Sequence, residues 1–91
     1  MDLLDAATIE RELAETPGWN RAEDAIVKTV TLADFAGAIA FVNKVADVAE
    51  EQNHHPDMTV QWNKVVLTLT THSAGGLTAN DFRVARLINA V

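Results

Sequence analysis

The chain lacks cysteine and tyrosine entirely and has few prolines, aromatic residues and basic residues. Without cysteine, neither disulfide bonds nor thiolate chemistry can contribute to its fold or to a reaction. Seven lysines and arginines stand against thirteen aspartates and glutamates, for a formal net charge of -6. Because binding to a phosphate backbone requires clustered basic residues, this balance argues against nucleic acid as a direct partner.

The sequence also has no apolar run long enough to span a membrane, and the N-terminal segment MDLLDAATIE carries acids where a secretory signal would carry basic residues. We therefore expect a cytoplasmic protein that does not associate with membranes. There is no repeat, low-complexity tract or flexible linker, so residues 1–91 are predicted to form a single domain. With 48% hydrophobic and 22% charged residues, the composition is typical of a folded protein.

Apolar residues at spacings of three and four, together with capping residues, predict three helices. The first begins near Asp5 or Thr8 and ends before the proline and glycine of TPGW. The second begins at Thr31, the predicted N-cap of a capping box in TLAD, and runs to about Gln52. The third follows a second capping box, TAND at 78–81. Its residues predicted to face inward are Phe82, Ala85, Leu87, Ile88 and Val91.

The second predicted helix has a wider apolar face than packing on one sheet requires. Its apolar positions are Phe35, Ile39, Val42, Val45 and Ala49, with Phe41 and Val48 beside them. We expect other copies of the chain to cover the excess, which predicts a homodimer or a homotetramer.

Two pairs of strands are predicted from β-branched and alternating residues. Trp19 stands at the entry to a short strand, and AIVKTVT at 25–31 forms the next. Residues 58–62 and 65–69 alternate between the two faces of a sheet, which predicts a hairpin with its turn at Asn63 and Lys64. This register pairs Met58 with Leu69, Val60 with Leu67, Trp62 with Val65 and, beyond the ladder, His55 with His72.

The predicted order is therefore helix, two strands, helix, two strands, helix. Two strand pairs with helices gathered on one face define an α+β fold, a two-layer sandwich in which three helices cover one face of a four-stranded antiparallel sheet. In this arrangement the end of the second helix and the end of the second hairpin share one edge of the molecule.

All three histidines of the chain are predicted to converge at this edge. His54 and His55 lie where the second helix gives way to a strand at Pro56, and His72 lies at the end of the hairpin. A polar loop without function is one interpretation, and metal binding is another. Adjacent histidines point in different directions and match no standard zinc spacing, whereas imidazole titrates near neutrality. Acid and base catalysis is therefore the favoured interpretation.

The pattern E-x3-HHP-x5-W-x9-H-x8-D within residues 50–81 closely resembles the signature of the pterin-4a-carbinolamine dehydratases. The segments NHHPD and WNKVVLTLTTHSAGGLT, the chain length and the element order resemble that family too. Met58 and Trp62 differ from the aromatic residue and the tyrosine of many members, but both keep apolar bulk. The resemblance implies a hydro-lyase that converts 4a-hydroxytetrahydropterin to quinonoid dihydropterin and water. It also implies a role in tetrahydrobiopterin recycling, with no metal or organic cofactor.

The same resemblance implies roles for individual residues. His54 and His72 are the acid and base pair, in an order that the sequence leaves open, and His55 binds and orients the substrate. Glu50, one helical turn before His54, is either an orienting residue for that imidazole or a solvated helix carboxylate.

Asp81 and Trp19 each have a structural interpretation beside the functional one. Asp81 is expected mainly to cap the last helix, with orientation of His72 as a second role. Trp19 is either a core residue or a wall on which the flat pterin stacks.

Two other functions compete with catalysis. Family members also serve as a transcription cofactor, and some relatives resemble assembly factors, so a non-catalytic protein-binding module is the alternative. A sensor that binds a pterin without turnover is the third possibility. Relatives without catalysis would be expected to lose part of the histidine set, which this chain keeps.

Overall fold

The computed structural model describes residues 2–91 and contains the predicted elements in the predicted order. They are α1 (Ala6–Ala14), β1 (Asn20–Ala22), β2 (Ala25–Thr31), α2 (Phe35–Gln52), β3 (Asp57–Gln61), β4 (Lys64–Leu69) and α3 (Ala79–Asn89), with a short 3₁₀ helix, His72–Ala74, before α3. The strands form one antiparallel sheet in the order β1-β2-β4-β3. The α+β fold, the strand at 25–31 and the helix end at Gln52 are thereby confirmed.

Each helix begins at a side chain that accepts a hydrogen bond from the first turn. The Oδ1 atom of Asp5 accepts from the Thr8 N–H at 2.8 Å. Hydrogen bonding from the Thr8 side chain, and then from its N–H, holds the pKa of the Asp5 carboxyl below its usual value. Asp34 caps α2 through the Gly37 N–H at 2.7 Å. The prediction of Thr31 as this N-cap was wrong, because Thr31 is the last residue of β2.

The hairpin of β3 and β4 has its turn one residue earlier than predicted, at Trp62 and Asn63. Trp62 adopts a positive φ of 51°. The Nδ2 atom of Asn63 donates to the Leu32 carbonyl at 3.0 Å, and its own carbonyl accepts from the Leu32 N–H at 2.8 Å. These contacts with the connection between β2 and α2 fix Asn63 within the turn. The resulting pairs include Met58 with Leu67 and Val60 with Val65.

This register differs from the predicted one by two residues, which leaves the core face of each strand unchanged because side chains alternate with a period of two. Two predicted contacts are nevertheless wrong. Trp62 does not pack opposite Val65, since it is 65% exposed in the turn. His55 does not lie opposite His72, because the observed ladder, extended by two residues, places Thr70 there.

The helices pack on one face of the sheet. The largest fully buried side chains include Ile26, Val45, Val65, Leu67, Leu69, Phe82, Val84 and Ile88. Phe82, Ala85 and Ile88 face inward from α3 as predicted, but Leu87 and Val91 are 38% and 46% exposed. Leu87 lies about 100° around the helix from the buried Ile88, so it faces away from the core. Within the described residues, no helix is both long and apolar enough to cross a membrane.

Candidate active site

Two segments meet at one end of the sheet and bring the three histidines to one cavity. The first leaves α2 through Asn53, whose left-handed backbone (φ 50°, ψ 42°) ends the helix. The second follows β4 and enters the 3₁₀ helix at His72. The cavity has a volume of about 280 Å³ and is lined by Asn53, His54, His55, Thr70, Thr71, His72 and Ser73. This volume is close to the lower end of the roughly 300–1,000 Å³ of small-molecule sites.

His54 is the most enclosed of the three imidazoles, with a side chain only 12% exposed. Its Nε2 atom lies 2.6 Å from Oδ1 of Asp81, a fully buried carboxyl group on α3. Because an ionised carboxylate can only accept hydrogen bonds, this contact assigns the imidazole proton to Nε2. The lone pair of the neutral ring is then on Nδ1, which has no hydrogen-bond partner within residues 2–91.

Donors from two neighbouring segments hold Asp81 in place. Its Oδ2 atom accepts from the Thr78 N–H at 2.9 Å and from the Thr71 hydroxyl at 2.8 Å. Thr78 and Asp81 form the capping box of α3, which confirms the prediction from TAND. The carboxylate contacts His54, so orientation of His72, the second role considered for Asp81, is not observed.

His55 and Glu50 form an exposed pair beside the cavity. The Nε2 atom of His55 lies 2.5 Å from Oε2 of Glu50, and the two side chains are 54% and 77% exposed. Of the two interpretations of Glu50, orientation of the His54 imidazole is not the one observed, because this exposed carboxylate contacts the next imidazole along the chain. A pair this exposed adds little to stability, but it restricts the orientation of the His55 ring.

His72 belongs to a tight loop that follows the sheet. The Thr71 N–H donates to the Gly76 carbonyl at 3.0 Å, and the Gly76 N–H donates back at 3.3 Å. Gly75 closes the loop with a positive φ of 78°, a conformation that glycine adopts without strain. The His72 side chain is exposed and makes no hydrogen bond to the protein within residues 2–91. Its ring is therefore available to a ligand.

Trp19 lies in the core, away from the cavity. Its side chain is nearly fully buried, and its indole Nε1 donates to Oδ1 of Asn89 at 3.0 Å. Asn89 is the last residue of α3, whereas Asp81 lies in the first turn of that helix. Trp19 is absent from the residues that line the cavity. It is therefore a core residue and not a wall on which a ligand could stack.

The structure adds residues to the site that sequence reasoning missed, above all Thr71 and Asn53. A threonine in the run TLTTH is typical of an ordinary strand residue, so Thr71 carried no signal. Asn53 did carry one, since asparagine tolerates the left-handed conformation that ends a helix ahead of Pro56. Within the described part of the chain, no three histidine, cysteine, aspartate or glutamate side chains converge to hold a metal ion.

The cavity is lined by imidazoles with different surroundings. His54 is enclosed and oriented by a carboxylate, whereas His72 is exposed and can exchange protons with solvent. Two imidazoles in such an arrangement can carry out acid and base chemistry on a small molecule.

Known proteins with a similar sequence or structure share this small α+β fold. The chain matches the family model for pterin 4 alpha carbinolamine dehydratase over residues 2–91. A protein of Thermomicrobium roseum, provisionally named a pterin-4-alpha-carbinolamine dehydratase, is 54% identical over 86 residues, covering 94% of this chain and 92% of the relative. The chain therefore belongs to the pterin 4 alpha carbinolamine dehydratase family.

Two solved structures resemble it. A crystal structure from Brucella melitensis, described as a transcriptional coactivator/pterin dehydratase, has a TM-score of 0.91 and 34% sequence identity, and the match covers 96% of this chain and 95% of that one. A pterin dehydratase-like protein described as a RuBisCO assembly factor of the alpha-carboxysome has a TM-score of 0.67 and 21% identity, over 80% and 87% of the two chains. The second likeness shows the fold alone.

Proposed function

We propose that this protein dehydrates 4a-hydroxytetrahydropterin to quinonoid dihydropterin and water, and that it acts in tetrahydrobiopterin recycling in the cytoplasm. The observation that carries the proposal is the convergence of His54, His55 and His72 on one cavity, with His54 held by a buried carboxylate. Family membership supports the same substrate class.

The proposed reaction moves two protons and no net electrons. His72 gives a proton to the 4a hydroxyl, the C4a–O bond breaks, and water leaves. The N5 lone pair forms the C4a=N5 double bond, and Nδ1 of His54 takes the N5 proton. Since nothing is oxidised or reduced, imidazoles suffice, and each acid or base step contributes about 10² to 10⁴ in rate.

The assignment of His54 as the base rests on its partner. Asp81 keeps the proton on Nε2 and leaves Nδ1 as the acceptor, and its negative charge stabilises the imidazolium formed by proton transfer. His72 has no such carboxylate, and its exposure allows rapid reprotonation from solvent.

The direct test is a turnover assay with 4a-hydroxytetrahydropterin generated in situ and its dehydration followed by absorbance. We expect the purified protein to accelerate dehydration catalytically. Saturable pterin binding without acceleration would support the sensor, and neither binding nor acceleration would support the protein-binding module. Either result would reject the enzyme.

Glu50→Gln is expected to raise KM about two- to fivefold while kcat changes little, because the lost interaction is an exposed pair that orients a binding imidazole. Glu51→Gln is the matched control, since Glu51 is also an exposed carboxylate on α2 but is not the hydrogen-bond partner of His55. Steady-state kinetics of the two variants make the comparison. Equal KM values for both would argue against a role for Glu50.

We also propose that the chain forms a homodimer or homotetramer through α2, where Phe35 and Ile39 are 51% and 37% exposed. Ile39→Glu is expected to shift the mass from a multiple of the monomer mass to the monomer mass in light scattering. Lys44→Glu places the same side chain on another face of α2 and should keep the wild-type mass. A monomeric wild type would contradict the proposal.

A further inference from the structure

We propose that Thr71 is a positioning residue that holds the catalytic geometry of both His54 and His72, a role that rests on the proposed dehydration. Its side chain reaches Asp81, the carboxylate behind His54, while its backbone closes the loop that carries His72. Among the described residues, Thr71 alone contacts both Asp81, which holds His54, and the loop that carries His72.

The side-chain network assigns the direction of each hydrogen bond. The Thr71 hydroxyl lies 2.8 Å from Oδ2 of Asp81 and 2.8 Å from the hydroxyl of Thr78. Since the carboxylate can only accept, Thr71 gives its single proton to Asp81, and Thr78 must then donate to Thr71. The Thr78 oxygen in turn accepts the Asn80 N–H at 3.3 Å. Thr71, Thr78 and Asp81 are all buried residues, so their polar side chains depend on one another for hydrogen bonds.

Asp81 needs this support because the terminal torsion of an aspartate is broad and poorly restricted by its rotamers. Two donors on Oδ2, from Thr71 and from the Thr78 N–H, fix the carboxylate plane. Oδ1 is then aimed at Nε2 of His54. With one donor removed, the carboxylate can turn, and Nε2 loses its preference for the proton.

The backbone of Thr71 acts on the other imidazole. Its N–H and carbonyl exchange hydrogen bonds with Gly76, and its carbonyl also accepts from the N–H groups of Ala74 and Gly75 at 3.0 Å. These contacts shape the loop in which His72 is the first helical residue. A side chain anchored on Asp81 therefore also anchors this loop on α3.

Thr71→Val removes the hydroxyl and keeps the shape of the side chain. We expect kcat to fall about tenfold, the loss typical of one hydrogen bond to a charged group, while KM changes less than about twofold. In ¹⁵N NMR spectra of the free protein, His54 should change from a single Nε2–H tautomer to a mixture of tautomers. Thr71→Ser restores the hydroxyl and should restore both properties.

Thr16→Val is the matched control, because Thr16 is also a buried threonine and donates its hydroxyl to the Glu12 carbonyl at 2.6 Å, within the α1 region. It should keep the wild-type kcat and the His54 tautomer. Thr71→Ala replaces Thr71→Val if the valine variant does not fold.

The proposal is overturned if Thr71→Val leaves either kcat or the tautomer unchanged, if Thr71→Ser is as impaired as Thr71→Val, or if His54 of the wild type carries its proton on Nδ1. A wild type without dehydratase activity rejects the proposed function instead. In that case the tautomer comparison still decides whether Thr71 positions His54.

Discussion

Asp81→Asn is expected to lower kcat for dehydration by about 10²- to 10⁴-fold, because the upper figure is the loss known when the carboxylate partner of a catalytic imidazole becomes an amide. The oxygen of the new amide can still serve the Thr78 N–H and the Thr71 hydroxyl, as Oδ2 does now. Its NH₂ group then faces Nε2 of His54 and donates to it. The imidazole proton must move to Nδ1, and the cavity receives an N–H where the proposed mechanism needs a lone pair.

The same substitution weakens the capping box of α3, so the loss of activity must be separated from a loss of stability. We expect the free energy of unfolding to fall by about 1–3 kcal/mol, because buried hydrogen bonds to a charged acceptor are replaced. Asp34→Ala is the control for stability. It removes the N-cap side chain of α2, away from the cavity, and should cost about 1 kcal/mol of stability without lowering kcat. An Asp81→Asn variant that is less stable but fully active would contradict the role of the carboxylate in catalysis.

The elements of the fold could be predicted where their signals are local. The β-branched run at 25–31 marks β2, and Asn53 and Pro56 together mark the end of α2 at Gln52. The turn of the hairpin was missed because a distant contact decides it: Asn63 binds the backbone of Leu32, 31 positions earlier. No pattern within the hairpin itself records that contact.

The start of α2 also could not be predicted from the sequence alone. Thr31 and Asp34 are both suitable cap residues three positions apart, and the sequence alone favoured the first. Pairing of β2 with β4 extends through Thr31, which keeps that residue in the strand. Asp34 is then the first residue free to cap the helix.

The sequence predicted which histidines lie at the site but not which carboxylate each one contacts. His54 follows Glu50 by four residues, and on a continuous helix the two would share a face. Asn53 has a left-handed backbone, however, so the chain leaves the helix before His54 is reached. His54 therefore contacts Asp81 on α3, and His55 contacts Glu50. The left-handed conformation of Asn53 thus prevents the Glu50–His54 pair that helical spacing predicts.

The three imidazoles differ in how firmly hydrogen bonds to the protein hold their rings. The His54 ring has a buried partner and is itself mostly enclosed, whereas the His55 pair is open to solvent. His72 has no side-chain partner within residues 2–91. Substitution of His55 should therefore affect a different kinetic constant from substitution of His54 or His72, although all three line the same cavity.

His54→Ala and His72→Ala are each expected to lower kcat by about 10²- to 10⁴-fold, because each removes one of the two proton-transfer groups. His55→Ala should mainly raise KM, since its proposed role is binding. Steady-state kinetics of the three variants test this division. Unchanged turnover in His72→Ala would defeat the proposed mechanism.

Two further measurements use the difference in exposure. Free imidazole added to the assay should restore part of the activity of His72→Ala, whose site is open to solvent, and much less of that of His54→Ala, whose ring is enclosed against Asp81. The double variant should be little slower than the slower single variant, because groups that act together in one step are strongly non-additive. Losses that multiply would instead show that the two imidazoles contribute independently to the rate, and the joint role of His54 and His72 would then be wrong.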